Sequence, residues 1–183
     1  MIHKEQSLNI LFTSVGRRVA LVQHFKKTLL DLGLKGTIVG VDFSDDAPAF
    51  HVVDKAYKIC RIDDPLYIRT LVEICRREKI QLLFPLIDTD LMLLAESRQD
   101  FAAVGTTAVI SDPPVIEISL DKNKTHAFFV THGIDTPKVF DAEAVLAAPV
   151  GYPLFMKPLD GNASKGSVKI RDERELRFFK DYV

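Results

Sequence analysis

Short apolar segments alternate along the first part of the chain with segments whose apolar residues recur at helical spacing. Residues 8–13 and 37–41 are mostly apolar and are bounded by small, polar or turn-forming residues, as buried strands are. Between them the apolar positions fit one face of a helix: Val19, Val22, Phe25, Leu29 and Leu32. A strand, a helix that ends at Gly33, and a second strand are therefore predicted.

The alternation continues to residue 110. Helices are predicted over 66–79 and 88–98, and strands over 81–86 and 108–110. Strands that alternate with helices form parallel sheets with right-handed crossovers. Residues 1–112 are therefore predicted to form a Rossmann-like α/β domain with a parallel sheet.

The pattern changes after Asp112, where two prolines interrupt the chain. Asp121 is predicted to cap a helix from Lys122 to about His132. The remaining predicted elements are strands over 137–140, 154–157 and 167–170 and helices over 142–148 and 173–182. The last two strands are joined by a loop containing glycine, which predicts an antiparallel pair. Residues 113–183 are therefore predicted to form an α+β unit.

Composition excludes several functional classes. The chain has 183 residues, 47% hydrophobic, with a formal net charge of −1, so no bulk attraction to nucleic acid or to a membrane is expected. Cys60 and Cys75 form no CxxC pair, which fits a reduced, cytoplasmic protein. The N-terminus is polar, and no apolar run approaches the ~18 residues of a membrane helix. The histidines show no metal-ligand spacing.

The first candidate for chemistry is the segment from Lys157 to Ser167. Lys157 ends an apolar strand, and the loop that follows contains Gly161 and Gly166 among small polar residues. Backbone N–H groups in such a loop can approach phosphate oxygens closely. A strand follows the loop, so the segment is not a Walker loop, which opens a helix. It is either a flap over phosphates or a plain surface hairpin.

The second candidate is the start of the helix at Lys122. Lys122 and Lys124 lie in its first turn, where the helix dipole disfavours cations by about 0.3–1 kcal/mol each. A bound anion would reverse that preference. The alternative is that both lysines are solvated surface residues.

The third candidate is the carboxyl end of the predicted sheet. The turn after the first strand contains Ser14, Gly16 and Arg17, and turns of this kind before a helix bind anions. Asp42 ends the second strand, where an acid can hold a ribose, although a single glycine does not meet the dinucleotide fingerprint. Asp88 follows another strand; either it or Asp90 caps the next helix, and Asp88 could otherwise hold an amine.

These motifs, in this order, resemble the ATP-grasp superfamily, with the greatest similarity to carbamoyl-phosphate synthase large-subunit-like proteins. The motifs are Leu120-Asp121-Lys122, Gly133-Ile134-Asp135-Thr136-Pro137, and Phe155-Met156-Lys157-Pro158-Leu159-Asp160-Gly161-Asn162-Ala163-Ser164-Lys165-Gly166-Ser167. The resemblance covers nearly the whole chain. It implies a Rossmann-like pre-ATP-grasp domain over 1–112 and the small lobe of an ATP-grasp domain over 113–183.

The resemblance also implies roles for these positions. Lys122 and Lys157 match family lysines that contact ATP phosphates. The matching flap positions are Gly161, Asn162, Ala163, Ser164, Lys165, Gly166 and Ser167. Ser14, Gly16, Arg17 and Asp88 fall where the first domain of the family faces the acceptor substrate. The implied reaction activates a carboxylate with ATP and Mg²⁺ as an acyl phosphate, which an amine or ammonia then attacks.

The family places its adenine hinge and Mg²⁺ ligands beyond the flap, in a C-terminal lobe that the 183 residues do not include. The chain alone is therefore expected to be inactive, and its partners would be a separate C-terminal lobe or a second copy, together with ATP and small carboxylate and amine substrates. Two alternatives stay open: a non-catalytic module that binds a small ligand or a partner, and a nucleotide-dependent oxidoreductase.

Overall fold

The computed structural model of the protein describes residues 7–148, 150–159 and 164–181. The chain divides into two compact units, residues 1–113 and residues 114–183. Each unit has its own hydrophobic core. In the described part of the chain, no helix has the length and apolar character needed to cross a membrane.

The first unit is built on a five-stranded parallel sheet with strand order β3-β2-β1-β4-β5. Its elements are β1 (Ile10–Phe12), α1 (Val19–Asp31), β2 (Ile38–Asp42), a 3₁₀ turn (Pro48–His51), β3 (Lys55–Lys58), α2 (Tyr67–Glu78), β4 (Leu82–Phe84), a 3₁₀ turn (Asp88–Asp90), α3 (Leu91–Glu96), α4 (Arg98–Ala102) and β5 (Thr107–Ala108). The prediction of a parallel α/β sheet is confirmed.

Neighbouring residues of the central strands pack into different cores. Leu11 and Leu83 belong to one buried cluster, with Tyr67 and Leu71 from α2. Ile10 and Phe12 belong to the other, with Val22 and Leu29 from α1 in the same cluster. Successive strand residues point to opposite faces, so both faces of this sheet are covered. That is why the central strands are continuously apolar in sequence.

The second unit begins within α5 and contains one antiparallel strand pair. Its elements are α5 (Pro113–Leu120), α6 (Lys122–Thr131), α7 (Ala142–Ala147), β6 (Leu154–Met156), β7 (Val168–Ile170) and α8 (Glu173–Phe179). The predicted antiparallel pairing is confirmed, with Phe155 opposite Lys169. Val145, Ile170 and Leu176 form the buried centre of this unit.

Three predictions about local structure were wrong. The two prolines after Asp112 open helix α5, because proline is tolerated in the first helical turn, where its missing N–H has no partner to lose. Residues 137–140 form no strand, and both Val139 and Phe140 are exposed. Strand β3 was not predicted, because its residues are mostly exposed at the sheet edge and carry no buried apolar pattern.

Candidate functional site

A cavity of about 600 Å³ lies in the first unit, beyond the carboxyl ends of β1 to β4. Its apolar lining includes Phe43, Ile59, Ile62, Ile87 and Leu93. Its polar lining includes Ser14, Asp42, Tyr67 and Thr89. In open α/β sheets ligands bind beyond the carboxyl ends of the strands, and this volume suits a small molecule.

The turn between β1 and α1 is fixed to the end of β2 by Asp42. One carboxylate oxygen of Asp42 accepts a hydrogen bond from the Gly16 amide at 2.9 Å. The other accepts one from the Ser44 amide at 3.0 Å. The turn needs this support because Ser14 and Gly16 both have a positive φ, at 47° and 41°, and for Ser14 that conformation is unfavourable.

The structure brings together only some of the residues predicted to face the acceptor. Ser14 and Gly16 line the cavity with Asp42. Arg17 and Asp88 are exposed and do not belong to its lining. The neighbouring Arg18 directs a guanidinium nitrogen to the Leu86 carbonyl oxygen, 3.5 Å away.

Tyr67, which lines the cavity, forms a buried pair with Asp90 that sequence reasoning missed. The Tyr67 hydroxyl donates a hydrogen bond to Asp90 Oδ2 at 3.0 Å, and Asp90 is 0% exposed. The prediction that Asp88 or Asp90 caps the following helix was wrong: neither carboxylate caps the 3₁₀ turn or α3. Asp90 lies close to Asp88 and Thr89 in sequence, but nothing in the sequence links it to Tyr67, 23 residues earlier.

Burial sets the protonation behaviour of this pair. It raises the pKa of Asp90, while the hydroxyls of Thr13 and Tyr67 lower that pKa to a smaller extent. Neither the Thr13 hydroxyl nor Asp90 Oδ1 has a hydrogen-bond partner among the described residues. Burial, followed by the charge of Asp90, also raises the pKa of Tyr67 well above its usual value. Tyr67 therefore remains a hydrogen-bond donor to Asp90 at neutral pH.

In the second unit, Lys122 reaches the chain just beyond β6. Its ammonium group donates to the Leu159 carbonyl oxygen at 3.1 Å. Leu159 lies two residues after Lys157, which is exposed, and two residues before Gly161, where the predicted flap begins. The structure therefore brings Lys122 close to the segment that carries Lys157.

At the start of α6, backbone N–H groups that could bind an anion already have a hydrogen-bond partner. Asp121 caps this helix, as predicted, and its Oδ1 accepts hydrogen bonds from the amides of Asn123 at 2.8 Å and Lys124 at 3.0 Å. Two of the first N–H groups are therefore occupied. Any phosphate here would be held by lysine ammonium groups rather than by these amides.

Part of the predicted flap can be described. Gly161, Asn162 and Ala163 lie outside the described residues, whereas Ser164, Lys165, Gly166 and Ser167 form an exposed turn before β7. Gly166 has a φ of +71°, and a Cβ there would lie 2.8 Å from Cγ of Pro158. Only glycine fits this close approach between the two sides of the hairpin.

Within the described residues, no group of three or more His, Cys, Asp or Glu side chains could hold a metal ion. Glu173 and Glu175, in α8, pair with Arg177 at 2.6 Å and Arg171 at 2.9 Å.

The first unit matches a known protein family over a range that includes all five strands of its sheet. Residues 10–110 match the family described as PylC-like, N-terminal domain. The chain belongs to this family. It is thereby a member of the ATP-grasp superfamily, as its motifs predicted.

Curated relatives extend the similarity into the second unit. The formate-dependent phosphoribosylglycinamide formyltransferase of Bacillus subtilis (strain 168) is 27% identical over 147 residues, which are 75% of this chain and 35% of that protein. The enzyme of the same name from Cupriavidus pinatubonensis is 27% identical over 166 residues, 86% of this chain and 40% of that protein. The chain thus spans two fifths or less of the length of these relatives.

Solved structures share the fold. N5-carboxyaminoimidazole synthetase from Staphylococcus aureus superposes with a TM-score of 0.64 at 17% identity, covering 94% of this chain and 43% of that one. The biotin carboxylase domain of Hydrogenobacter thermophilus 2-oxoglutarate carboxylase, in complex with MgADP, ADP and bicarbonate, gives 0.63 at 20% identity, covering 97% and 41%. These similarities confirm the predicted fold class.

Proposed function

We propose that the chain is the N-terminal part of an ATP-dependent ligase that activates a carboxylate as an acyl phosphate for attack by an amine or ammonia. The observation that carries the proposal is the order of two features along the chain. The first unit matches the family and has a cavity at the ends of its strands. It is followed by the β6–β7 hairpin, and the Lys122 ammonium group donates to the Leu159 carbonyl oxygen of that segment at 3.1 Å. The Bacillus relative is named for its dependence on formate, a small carboxylate, and the Hydrogenobacter domain is in complex with bicarbonate, which also carries a CO₂⁻ group.

In this proposal residues 1–112 are the pre-ATP-grasp domain and residues 113–183 are the small lobe. Lys122, Lys157 and the segment from Gly161 to Ser167 hold the ATP phosphates. The described part fits that role because Lys157 and Ser164–Ser167 are exposed and the hairpin narrows at Gly166. Mg²⁺, when bound, neutralises phosphate charge, and its ligands belong to a C-terminal lobe supplied by a longer chain or a separate subunit.

A narrower version of the proposal, a ligase of the carbamoyl-phosphate synthase type, has ammonia as the attacking group. It rests on the motifs from Leu120 to Ser167 alone. Ammonia and primary amines are distinguished by supplying each to the complete enzyme and identifying the product by mass.

Asp42, the residue that best supported the oxidoreductase alternative, does not fit that role. A dinucleotide-binding acid at the end of the second strand must present its carboxylate to a ribose. Here both oxygens of Asp42 accept backbone amides, from Gly16 and Ser44. A non-catalytic module for a small ligand remains the second candidate, because the cavity is complete within the first unit.

The decisive experiment measures Mg-ATP-dependent ADP release by the complete protein that the gene encodes, in the presence of candidate carboxylates such as formate, bicarbonate or amino acids, with and without added amines. Replacement Lys157→Ala is expected to lower the rate about a hundredfold or more, since preorganised cations stabilise the charge of phosphoryl transfer. Lys169→Ala is the matched control, because Lys169 is an exposed lysine on the paired strand of the same hairpin.

Two outcomes would contradict the proposal. One is a complete protein that releases no ADP with any combination of carboxylate and amine or ammonia, which favours the binding module. The other is equal loss of activity in both lysine variants. The 183-residue chain on its own is expected to show weak or no ATP affinity and no turnover; ATP hydrolysis by the pure chain, lost on Lys157→Ala, would overturn that expectation.

A further inference from the structure

The carboxyl group of Asp90 is buried behind the wall of the cavity, away from the cations of the described residues. Asp90 is 0% exposed, and the salt bridges in the described part of the chain do not include it. An unpaired carboxylate is strongly disfavoured outside water, so a buried acid of this kind favours its neutral form. The burial of Asp90 therefore makes its charge state sensitive to pH.

Side chains from three elements surround this carboxyl group. Tyr67, the first residue of α2, donates its hydroxyl hydrogen to Asp90 Oδ2 at 3.0 Å. Thr13 follows β1 and is also 0% exposed. Burial raises the pKa of Asp90 most; the hydroxyls of Thr13 and Tyr67 lower it, and the charge of Asp88, in the same 3₁₀ turn, raises it slightly. The carboxyl group thus joins the end of β1, the start of α2 and the turn after β4.

The Thr13 hydroxyl can serve Asp90 in either charge state. Neither Thr13 Oγ1 nor Asp90 Oδ1 has a hydrogen-bond partner among the described residues, so each is available to the other. A hydroxyl can accept a hydrogen bond from a neutral carboxylic acid and can donate one to a carboxylate. Rotation of one hydroxyl hydrogen reverses the bond without a movement of the backbone. Tyr67 is a donor in both states, because burial raises its own pKa well above the usual value.

We propose that Asp90 is a proton-operated switch in the wall of the cavity. In its neutral form Oδ1 carries the proton and donates it to Thr13 Oγ1. In its ionised form that proton has passed to solvent water, and the hydroxyls of Thr13 and Tyr67 both donate to the carboxylate. The bond from Tyr67 becomes shorter on ionisation, as charge-assisted hydrogen bonds are. Because Tyr67 and Thr89, the neighbour of Asp90, line the cavity, its wall has two forms.

Nuclear magnetic resonance of the isotope-labelled 183-residue chain follows the switch without nucleotide or substrate. The side-chain carboxyl carbon of Asp90 is expected to titrate at a higher pH than that of the exposed Asp46. The Cζ carbon of Tyr67 should shift with the same midpoint as Asp90, since its hydroxyl is bonded to that carboxyl group. Tyr57 is the internal control, because its hydroxyl donates to Glu78, and its signal should follow Glu78 instead.

Variants test the two hydroxyl groups. Thr13→Val and Tyr67→Phe each remove a hydroxyl that lowers the pKa of Asp90, so each should move the titration midpoint of Asp90 to higher pH. Tyr57→Phe removes a hydroxyl bonded to Glu78 and should leave that midpoint unchanged. Asp90→Asn, which cannot ionise, should remove the titration from the Tyr67 signal.

Stability gives a second measurement. A carboxyl group whose pKa is raised by folding stabilises the protein fully below the unfolded-state value of about 3.9, and this contribution is lost as the pH rises through the folded-state value. Asp90→Asn should therefore remove a decline of the unfolding free energy on the alkaline side of that range. Asp46→Asn, an exposed aspartate, should keep the decline.

Three results would overturn the inference. They are an Asp90 midpoint at or below that of Asp46, a Tyr67 signal that does not follow Asp90, and an unchanged Asp90 midpoint in both hydroxyl variants. If a variant does not fold, the titration of the unaltered chain decides the question. The switch does not depend on the ligase proposal, so failure of this titration leaves that proposal intact, and failure of ADP release leaves the titration result intact.

Discussion

The carboxylate of Asp42, at the end of β2, accepts the Gly16 amide at 2.9 Å and so ties the turn after β1 to the neighbouring strand. The two residues are 26 positions apart, and Asp42 is 7% exposed. This bond gives the cavity a fixed wall, because the turn also contains Ser14 in a left-handed conformation. Asp42 stands where an acid can bind a ribose, but here its carboxylate accepts hydrogen bonds from backbone amides of its own chain.

Replacement Asp42→Ala is expected to lower the free energy of unfolding by about 2 kcal/mol, because it leaves amide donors without partners in a partly buried position. Urea unfolding followed by circular dichroism measures it. Asp46→Ala is the control, since Asp46 is exposed, and its effect should stay within about 0.5 kcal/mol. Similar values for the two variants would show that the Asp42 bonds contribute nothing.

Substitutions at two glycines distinguish the cost of a steric clash from the cost of an unfavourable φ. A Cβ on Gly36 would lie 2.1 Å from the Leu8 carbonyl oxygen, whereas one on Gly33, at φ +65°, would meet nothing within 4 Å. Gly36→Ala is expected to destabilise the protein by about 3 kcal/mol, because the backbone of Leu8 must move. Gly33→Ala should cost about 1 kcal/mol through its φ alone. Thermal and urea unfolding check the order, and a larger loss at Gly33 would contradict it.

Glu78 gives the first unit a defined acid sensitivity. Hydrogen bonds from Lys55, at 2.5 Å, and from Tyr57 hold the pKa of this carboxylate below its usual value, and its side chain is 8% exposed. The resulting stabilisation is complete above the unfolded-state pKa of about 4.3 and is lost as the pH falls through the lower folded-state value.

Glu78→Gln should therefore lower stability at neutral pH and flatten the decline of stability on acidification. Unfolding free energies measured from neutral to acid pH check this. Glu73→Gln, which removes an exposed partner of Arg69, is expected to leave the acid decline unchanged. If Glu78→Gln reproduces the unaltered pH curve, the ion-pair cluster does not control it.

The sequence reveals the sheet better than the site. Strands β1, β2 and β4 were predictable because burial on both faces makes them continuously apolar. Strand β3 is exposed at an edge, and its identity depends on pairing with β2, a long-range contact that leaves no local pattern. The start of α5 was misread because proline both breaks helices and opens them.

The same distinction applies to the residues in and behind the cavity lining. Ser14 and Gly16 were predictable from a turn between strand and helix. The Tyr67–Asp90 pair was not, because it joins the first residue of α2 to a 3₁₀ turn after β4. Arg17 belongs to the same turn as Gly16, yet it is exposed and lies outside the cavity lining, a difference that the sequence pattern does not reveal.

Substitution of Gly166 tests whether the β6–β7 hairpin holds ATP in the proposed ligase. Its φ is +71°, and a Cβ would lie 2.8 Å from the ring of Pro158, so Gly166→Ala must displace one side of the flap stem near Lys157. Gly133 has a similar φ of +65° but open space around it, which makes Gly133→Ala the matched control. Displacements of about 1 Å in a positioning element cost up to a hundredfold in rate.

ADP release by the complete protein should therefore fall at least about tenfold in Gly166→Ala and by less than about twofold in Gly133→Ala. Circular dichroism and urea unfolding of both variants establish that each remains folded. Equal rates in the two variants would mean that the approach of Gly166 to Pro158 has no part in holding ATP. A loss confined to Gly166→Ala, with a raised KM for ATP, would place the described end of the flap at the nucleotide.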